Sequence, residues 1–381
     1  MKTRIKSDRI ILSDRIISGY IYMEDDKITA VTGEELPYDG ELDAVGLYAA
    51  PGFIDLHTHG GAGYDFVGSV DDVVNGCNFH LSHGTTSICP TISAAPMSVM
   101  AKAVESIAGA MKSPALRANI LGAHMEGPYL SAEQCGAQCP DFITPPKFDE
   151  YAPLIEAYGD VIARWTYAPE NDADGSFCRY AAEHGILVSA GHTNAIYPEM
   201  LTAMDAGCKL VTHLYSCTST VTRDHGFRRL GVIETALLED GIYAEIIADG
   251  KHLPPELIRL ILKAKGTDRV ALVTDSLALA GTDVKVGKML ATDFIIEDGV
   301  CKLLDRSAFA GSIATADRLV RVITDEVGVP LVDAVKMITA VPAKIIGVNK
   351  GKLESGRDAD VVLFDDGINI KGAYVMGKKV L

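Results

Sequence analysis

The sequence lacks the features that mark membrane, nucleic-acid-binding and disulfide-bonded proteins. No run of 18 apolar residues is present, which predicts no transmembrane helix, and charged residues interrupt the amino-terminal segment too often for a secretory signal. Its 35 Lys and Arg are outnumbered by 51 Asp and Glu, and the net charge of −16 would repel nucleic-acid phosphates and anionic lipids. The eight cysteines form no CxxC pair, which predicts reduced thiols. We therefore expect a cytoplasmic protein with no nucleic-acid and no membrane partner.

Basic residues are scarce, but apolar residues are not. Of the 381 residues, 48% are hydrophobic and 23% are charged, which is typical of a folded globular protein rather than a disordered one. Both ends of the chain show short alternating strand patterns separated by Gly and Asp turn residues. Two terminal β segments therefore flank a middle of a different kind.

The middle of the chain alternates short apolar runs with helix-length segments. The apolar runs are at 53–57, 85–90, 119–125, 161–167, 186–191, 209–213, 242–248 and 269–274. Candidate helices between them are at 70–84, 94–111, 174–185, 198–207 and 254–266. Continuously apolar strands separated by helices predict parallel pairing, and eight of them predict an α/β fold of the closed (β/α)8 TIM-barrel type. The alternative is an open doubly wound sheet, which is disfavoured because no GxGxxG turn follows the first strand.

Side chains suited to metal binding or proton transfer follow these apolar runs. They are His57, His59, Glu126, His192, His213, Asp249, His252 and Asp275. The carboxyl ends of all strands of a parallel barrel meet at one rim, where the active sites of such barrels lie. We therefore expect these side chains to converge on one site.

A catalytic divalent ion needs three imidazole or carboxylate ligands and an open position for water. Glu126, His192 and His213 would supply that set. The glycine pair after His59 would permit a bend that brings both His57 and His59 to one ion. Together with Asp275 they would form a second metal site, or Asp275 would remain free as a proton carrier.

Six segments of the chain carry a resemblance to a known family. They are PGFIDLHTHG, HMEGPYL, SAGHTNA, VTHLY, IADGKH and LVTDSLALAG. With them the chain resembles the amidohydrolase superfamily and, within it, the N-acetylglucosamine-6-phosphate deacetylases. The resemblance implies a small β-sandwich domain built from 1–52 and 346–381 and a metal-dependent hydrolase barrel at 53–345.

The same resemblance implies a role for individual residues. Five positions match metal ligands of the family: Glu126, His192, His213, His57 and His59. The pair matched by His57 and His59 binds a second ion in some members and is missing in others. Asp275 matches the catalytic acid and base, and His252 matches a histidine that contacts the substrate. Arg223 matches an arginine that holds the sugar phosphate.

The implied reaction is hydrolysis of the acetamide of a phosphorylated acetamido sugar. N-acetylglucosamine-6-phosphate is the expected N-acetylhexosamine-6-phosphate, and acetate and the amino sugar phosphate are the products. The expected cofactor is a divalent metal ion, one or two per subunit, with zinc as the first choice and iron, manganese or cobalt as alternatives. Members of the family are commonly homodimers whose substrate contacts reach across the interface, so a homodimer is expected.

Three segments depart from the family pattern, and all concern the substrate. Gln138 replaces a histidine that helps to polarise the acetyl carbonyl, and Ser216 and Cys217 replace an Asn-Ala pair near the phosphate. The loop at 222–230 is longer and richer in arginine than usual, so it is either an anion site or a solvated loop. Together these departures suggest a subgroup whose substrate is another acetylated sugar phosphate or a related N-acyl compound. Two rival functions also stay open: hydrolysis of a different N-acyl or cyclic amide substrate, or sugar-phosphate binding without turnover.

Overall fold

Eight parallel strands form a barrel at the centre of the molecule. The computed structural model describes residues 2–381. The barrel strands are Phe53–Thr58, Thr85–Ile92, Ala123–Glu126, Ile162–Tyr167, Leu187–Ala190, Leu210–Val211, Tyr243–Ile247 and Val270–Val273, and a short strand, Asn119–Ile120, precedes the third. They pair in parallel in chain order. All eight predicted runs are confirmed as strands, and the predicted barrel fold is confirmed.

The last barrel strand is joined to the first at the carboxyl rim. The Asp275 amide donates a hydrogen bond to the His57 carbonyl at 2.9 Å. The Thr274 hydroxyl donates to the Asp55 carboxylate at 2.6 Å. These bonds place residues that follow the eighth strand directly beside residues that end the first, which is how distant parts of the sequence come to share one site.

The barrel strands are buried on both faces. Every second side chain along these strands points into the barrel, and those that fill its interior include Ile54, Leu56, Leu210 and Val273. The opposite faces pack against the surrounding helices in the largest hydrophobic core of the chain. Burial on both sides explains why these strands read as continuous apolar runs.

Helices surround the barrel. They are Val70–Ser82, Met97–Met111, Phe148–Tyr158, Ser176–Glu183, Tyr197–Ala206, Val232–Leu238, Pro255–Lys265, Ala316–Arg321, Leu331–Ile338 and Ala340–Ile346, with a π-helical turn at Val322–Val327 and 3-10 turns at Ala132–Gln134, Pro140–Phe142 and Pro169–Asn171. The first begins at a capping box in which the Ser69 hydroxyl accepts from the Asp72 amide at 3.2 Å. The five predicted helices are confirmed. Among residues 2–381 no helix is long and apolar enough to cross a membrane.

Both ends of the chain build a separate eight-stranded sheet. Its strands are Lys2–Ile11, Ile16–Glu24, Lys27–Thr32, Gly40–Asp43, Tyr48–Pro51, Val361–Phe364, Ile370–Val375 and Lys378–Lys379. Val361–Phe364 pairs antiparallel with Tyr48–Pro51, and this pairing joins the two termini. The predicted small β domain is therefore present, while its exact boundaries stay a prediction.

A four-stranded antiparallel sheet follows the eighth barrel strand and was not predicted. Its strands are Val286–Met289, Thr292–Glu297, Val300–Leu303 and Phe309–Gly311. Met289 and Phe294 pack with Leu277, which directly follows the barrel rim. This sheet, called here the rim sheet, therefore covers one side of the rim. Two short hairpins also stand at the rim: Gly60–Gly61 with Tyr64–Asp65, and Thr222–Asp224 with Phe227–Arg229.

Candidate active site and metal centre

Glu126 lies at the centre of a buried histidine cluster at the carboxyl rim. Its Oε1 atom is 3.2 Å from His57 Nε2, 3.3 Å from His192 Nε2 and 3.2 Å from His213 Nε2. Its Oε2 atom is 3.3 Å from His59 Nε2. The structure thus brings together all five of the predicted metal ligands.

The predicted principal ligand set has the spacing of a tetrahedral metal site. The Nε2 atoms of His192 and His213 are 3.1 Å apart, and the Glu126 oxygen lies 3.3 and 3.2 Å from them. Neighbouring ligands of a tetrahedral ion with bonds of about 2.0 Å are separated by about 3.3 Å. Three donor atoms at this separation, in a set of two imidazoles and a carboxylate, fit a divalent metal ion.

A second triangle of donor atoms adjoins the first. His57 Nε2 and His59 Nε2 are 3.3 Å apart, and Asp275 Oδ1 lies 3.4 and 3.2 Å from them. His57, His59 and Asp275 form one group that could hold a metal ion, and His57, Glu126 and His213 form another. The bend after His59 has the form predicted, because Gly60 opens a tight hairpin in which a Cβ would overlap the Tyr64 carbonyl.

Opposite charges dominate the electrostatics of this cluster. Burial opposes protonation of His57 and His59, but the carboxylates of Glu126 and Asp275 outweigh it and raise the pKa to about 10 for His57 and about 9 for His59. Burial likewise opposes ionisation of Asp275, yet the nearby imidazoles lower its pKa. Asp275 is therefore a carboxylate at neutral pH, as a proton acceptor must be.

Hydrogen bonds at the Nδ1 atoms orient three of the histidine rings. His57 donates from Nδ1 to Glu245 Oε1 at 2.9 Å, and Glu245 is paired with Arg164 at 2.7 Å. His59 Nδ1 lies 3.0 Å from the Ser93 hydroxyl. His192 donates from Nδ1 to the backbone carbonyl of residue 134 at 2.8 Å. Each of these bonds leaves the Nε2 atom of its ring directed into the cluster, where a metal would bind.

Several of these residues have positive φ angles, which residues other than glycine seldom adopt. The φ angle is +49° at His192, +28° at His213 and +47° at Asp275. Tyr215 and Cys217 are also in this region, at +78° and +50°. Such conformations cost on the order of 1–3 kcal/mol each and cluster at functional sites. Here they occur where the chain turns sharply after a barrel strand, beside the residues predicted to bind a metal ion.

A cavity of about 250 Å³ opens onto the cluster. Of the predicted residues, those that line it are His59, Glu126, Gln138, His192, His213, Ser216, Cys217, His252 and Asp275. Arg223 does not line it, since this residue lies exposed on the hairpin Thr222–Asp224 with Phe227–Arg229. Within the described chain, no predicted phosphate-binding arginine therefore reaches the cavity.

His252 is held at the wall of the cavity by two neighbours. Its Nδ1 donates to Asp249 Oδ2 at 2.9 Å, and the other Asp249 oxygen accepts from the backbone amides of Lys251 and His252 at 2.8 and 2.9 Å. The Phe309 ring meets the imidazole edge to face, with centroids 5.0 Å apart. Asp249 thus braces a ring, and the Nε2 atom of His252 is left for a ligand.

Several residues of the site were missed by the sequence analysis. The rim sheet contributes Met289, Phe309 and Gly311 to the cavity, and no sequence motif predicts their position there. Arg164 and Glu245 carried a signal that could have been used, because a charged residue inside an otherwise apolar strand must be paired when it is buried.

Buried histidines and carboxylates with metal-site spacing, at the carboxyl rim of a parallel barrel, define a metal-dependent hydrolase. The amidohydrolase family model matches residues 48–380. The chain is 31% identical over 369 residues to the N-acetylglucosamine-6-phosphate deacetylase of Bacillus subtilis, covering 94% of this chain and 92% of that relative. The chain belongs to the amidohydrolase family and groups with its N-acetylglucosamine-6-phosphate deacetylases.

Solved structures agree with this grouping. The N-acetylglucosamine-6-phosphate deacetylase of Pasteurella multocida superimposes with a TM-score of 0.93 at 31% identity, covering 100% of both chains. A mutant of the Mycobacterium smegmatis enzyme, in complex with N-acetyl-D-glucosamine-6-phosphate, has a TM-score of 0.91 at 26% identity, covering 100% of this chain and 99% of that one. The similarity extends over both the barrel and the terminal sheet.

Proposed function

We propose that this protein hydrolyses the acetamide of an N-acetylhexosamine-6-phosphate, with N-acetylglucosamine-6-phosphate as the first candidate. The observation that carries the proposal is the position of the Asp275 carboxylate, which faces the same cavity as the Glu126, His192 and His213 donor atoms. A proton acceptor beside a water-activating site is what amide hydrolysis requires. The relatives described above are N-acetylglucosamine-6-phosphate deacetylases, which supports this substrate.

Glu126, His192 and His213 would hold the principal ion. The chemistry supplied by such an ion would be a lower pKa for water in its open position and polarisation of the acetamide carbonyl. Asp275 accepts the proton of the attacking water at its carboxylate and then delivers it to the amide nitrogen as the C–N bond breaks. One water is consumed, and acetate and the free amine are released. His252 lines the cavity, and its Nε2, which is not bonded to Asp249, would orient the sugar.

The nature of the metal centre is part of the proposal. Zinc is the preferred ion, since imidazole and carboxylate ligands suit it, with iron, manganese or cobalt as alternatives. The His57, His59 and Asp275 triangle would hold a second ion, so that one or two ions bind per subunit. Where only one binds, Asp275 is free to carry the proton.

We further propose a cytoplasmic homodimer with the domain boundaries 1–52 with 346–381 and 53–345. Arg223 lies on an exposed hairpin, and the neighbouring Phe227 is 78% exposed. A second subunit would cover this hairpin, and Arg223 would then reach the sugar phosphate in the partner's cavity. The planar guanidinium of arginine can donate two hydrogen bonds to the oxygens of one phosphate, which suits Arg223 to this role.

One observation favours a second candidate function. Gln138 stands where the family pattern has a histidine, and Ser216 and Cys217 also line the cavity in place of the usual pair. A site altered at these positions would suit a different N-acyl substrate on the same metal scaffold.

The test is acetate release from a panel of substrates by metal-loaded protein. N-acetylglucosamine-6-phosphate, its galactosamine and mannosamine counterparts, and the three unphosphorylated sugars are compared at equal concentration. We expect release from a phosphorylated sugar that exceeds release from its unphosphorylated form, because the phosphate anchors the substrate. No release from any phosphorylated sugar would contradict the proposal and favour the second candidate.

A further inference from the structure

We propose that Gln138 is a positioning residue that holds the metal-ligating carboxylate of Glu126 in place. This inference rests on the proposed function in one respect, namely that Glu126 binds a metal ion. The sequence pattern alone suggested a substrate contact for Gln138, and the structure adds two bonds of its amide to protein groups. Its Nε2 donates to Glu126 Oε2 at 2.6 Å, and its Oε1 accepts from the Ala94 backbone amide at 2.9 Å.

The orientation of this amide is determined by its two partners. A backbone N–H can only donate, so the atom that faces Ala94 must be the amide oxygen. An ionised carboxylate can only accept, so the atom that faces Glu126 must be the amide nitrogen. Rotating the amide by 180° would lose both bonds. Gln138 therefore presents an N–H to Glu126 in one defined geometry.

This N–H becomes more important when a metal is bound. Imidazole nitrogens that ligate an ion cannot at the same time donate a hydrogen bond to the carboxylate beside them. With two ions bound, the Nε2 contacts of His57, His59, His192 and His213 to Glu126 would all be ligand contacts. Gln138 is then, among residues 2–381, the remaining side chain that donates a hydrogen bond to Glu126. With one ion bound, His57 and His59 would share that task with Gln138. In either case the Gln138 bond would act together with the ion to fix the rotation of the carboxylate.

Gln138 is itself firmly held. The residue is 5% exposed, and its backbone amide donates to the Cys135 carbonyl at 2.9 Å. Its partner Ala94 follows Ser93, whose hydroxyl contacts His59 at 3.0 Å. One short segment after the second barrel strand thus supports both His59 and the amide that orients Glu126. Partners of this kind typically contribute 10- to 100-fold to metal affinity.

Gln138 has one more hydrogen-bond donor than a neutral histidine would offer at this position. A neutral imidazole also offers one donor and one acceptor, so Gln138→His can keep both bonds. The glutamine amide has a second N–H, which no hydrogen bond among the described residues uses. Because the side chain lines the cavity, this N–H is available to a substrate carbonyl.

The experiment measures metal affinity without substrate. Zinc is titrated into metal-free protein against a chromophoric chelator, for the parent and for Gln138→Leu, which removes the amide at similar size. Gln138→His keeps a donor and an acceptor. Asn171→Leu is the matched control, since it removes a side-chain amide that donates to the Leu130 carbonyl at 2.8 Å, away from the cluster. Gln138→Asn shortens the amide and tests the same contact if the leucine variant does not fold.

We expect the zinc dissociation constant to rise about 10- to 100-fold in Gln138→Leu or Gln138→Asn. It should stay within about threefold of the parent in Gln138→His and in Asn171→Leu. An affinity of Gln138→Leu or Gln138→Asn within about twofold of the parent would overturn the inference.

These outcomes are separable from the test of the proposed function. A loss of affinity supports the inference even if no sugar phosphate is hydrolysed. Unchanged affinity in a protein that does hydrolyse one overturns the inference alone. A parent protein that binds no divalent ion would overturn both.

Discussion

Replacing Arg164 by methionine should destabilise the barrel strongly while leaving its shape intact. Arg164 and Glu245 are both 0% exposed and lie 2.7 Å apart inside the barrel. Arg164 also donates to the Leu56 carbonyl and to the hydroxyls of Ser189 and Thr212, at 3.1, 3.1 and 2.8 Å. Methionine has a similar length but can replace none of these bonds.

The magnitude follows from the charge left behind. Burial opposes ionisation of Glu245, but the Arg164 charge and the bond from His57 outweigh it and lower its pKa to about 2. Removing one partner of a buried pair costs about 3–5 kcal/mol, because the other charge stays buried without compensation. We therefore expect Arg164→Met to lower the free energy of unfolding by about 3–5 kcal/mol. Adding Glu245→Gln should recover part of this loss, since no unpaired charge then remains.

The assay is urea unfolding of metal-free protein followed by tryptophan fluorescence. The single tryptophan, Trp165, is buried in the barrel next to Arg164 and reports on that domain. Lys147→Met is the control, because Lys147 pairs with Glu150 at 2.9 Å on the surface, where solvent screens the pair and little stability is lost with it. A loss below about 1 kcal/mol for Arg164→Met, or a double variant less stable than Arg164→Met alone, would mean that the Glu245 charge is not left uncompensated in the barrel.

Three further predictions concern the substrate, the packing and the metal. Asp249→Asn weakens the brace on His252, and we expect KM to rise about tenfold with kcat nearly unchanged, as steady-state kinetics would show; a fall in kcat alone would contradict this. Gly52→Ala places a Cβ against the buried Thr86 side chain, and we expect the free energy of unfolding in the same urea assay to fall by about 1–3 kcal/mol. No change would mean that Thr86 moves aside without cost. Zinc at about 100 times its dissociation constant should stabilise the metal-free protein by about 2.7 kcal/mol, seen as a higher unfolding midpoint; an unchanged midpoint would argue against a native metal site.

The barrel could be predicted from the sequence because its strands are buried on both faces. Each strand reads as an apolar run, and the rule that the carboxyl ends meet at one rim brings His57 and Asp275 together although 218 positions separate them. The eight cysteines are free thiols, as their spacing predicted. The closeness of His57 and His59 also followed from local chemistry, since the glycines after them permit the bend.

The parts that could not be predicted lack such periodic signals. The helix Phe148–Tyr158 contains Pro153, and Val232–Leu238 spans only 7 residues. The rim sheet has short strands with partly exposed faces, so its alternating pattern resembles that of an ordinary surface loop. Pairings across strands, such as Arg164 with Glu245, and the bond from Gln138 to Glu126 depend on side-chain directions that spacing along the chain does not encode.

Asp275→Asn tests whether the Asp275 carboxylate carries the proton during hydrolysis. Acetate release from N-acetylglucosamine-6-phosphate and bound metal are measured on the same samples of parent and variant. We expect kcat to fall by about 10²- to 10⁴-fold, because general acid–base catalysis is lost, and we expect the ion proposed to bind at Glu126, His192 and His213 to be retained. Equal turnover by the variant and the parent, at equal metal content, would contradict this role of Asp275.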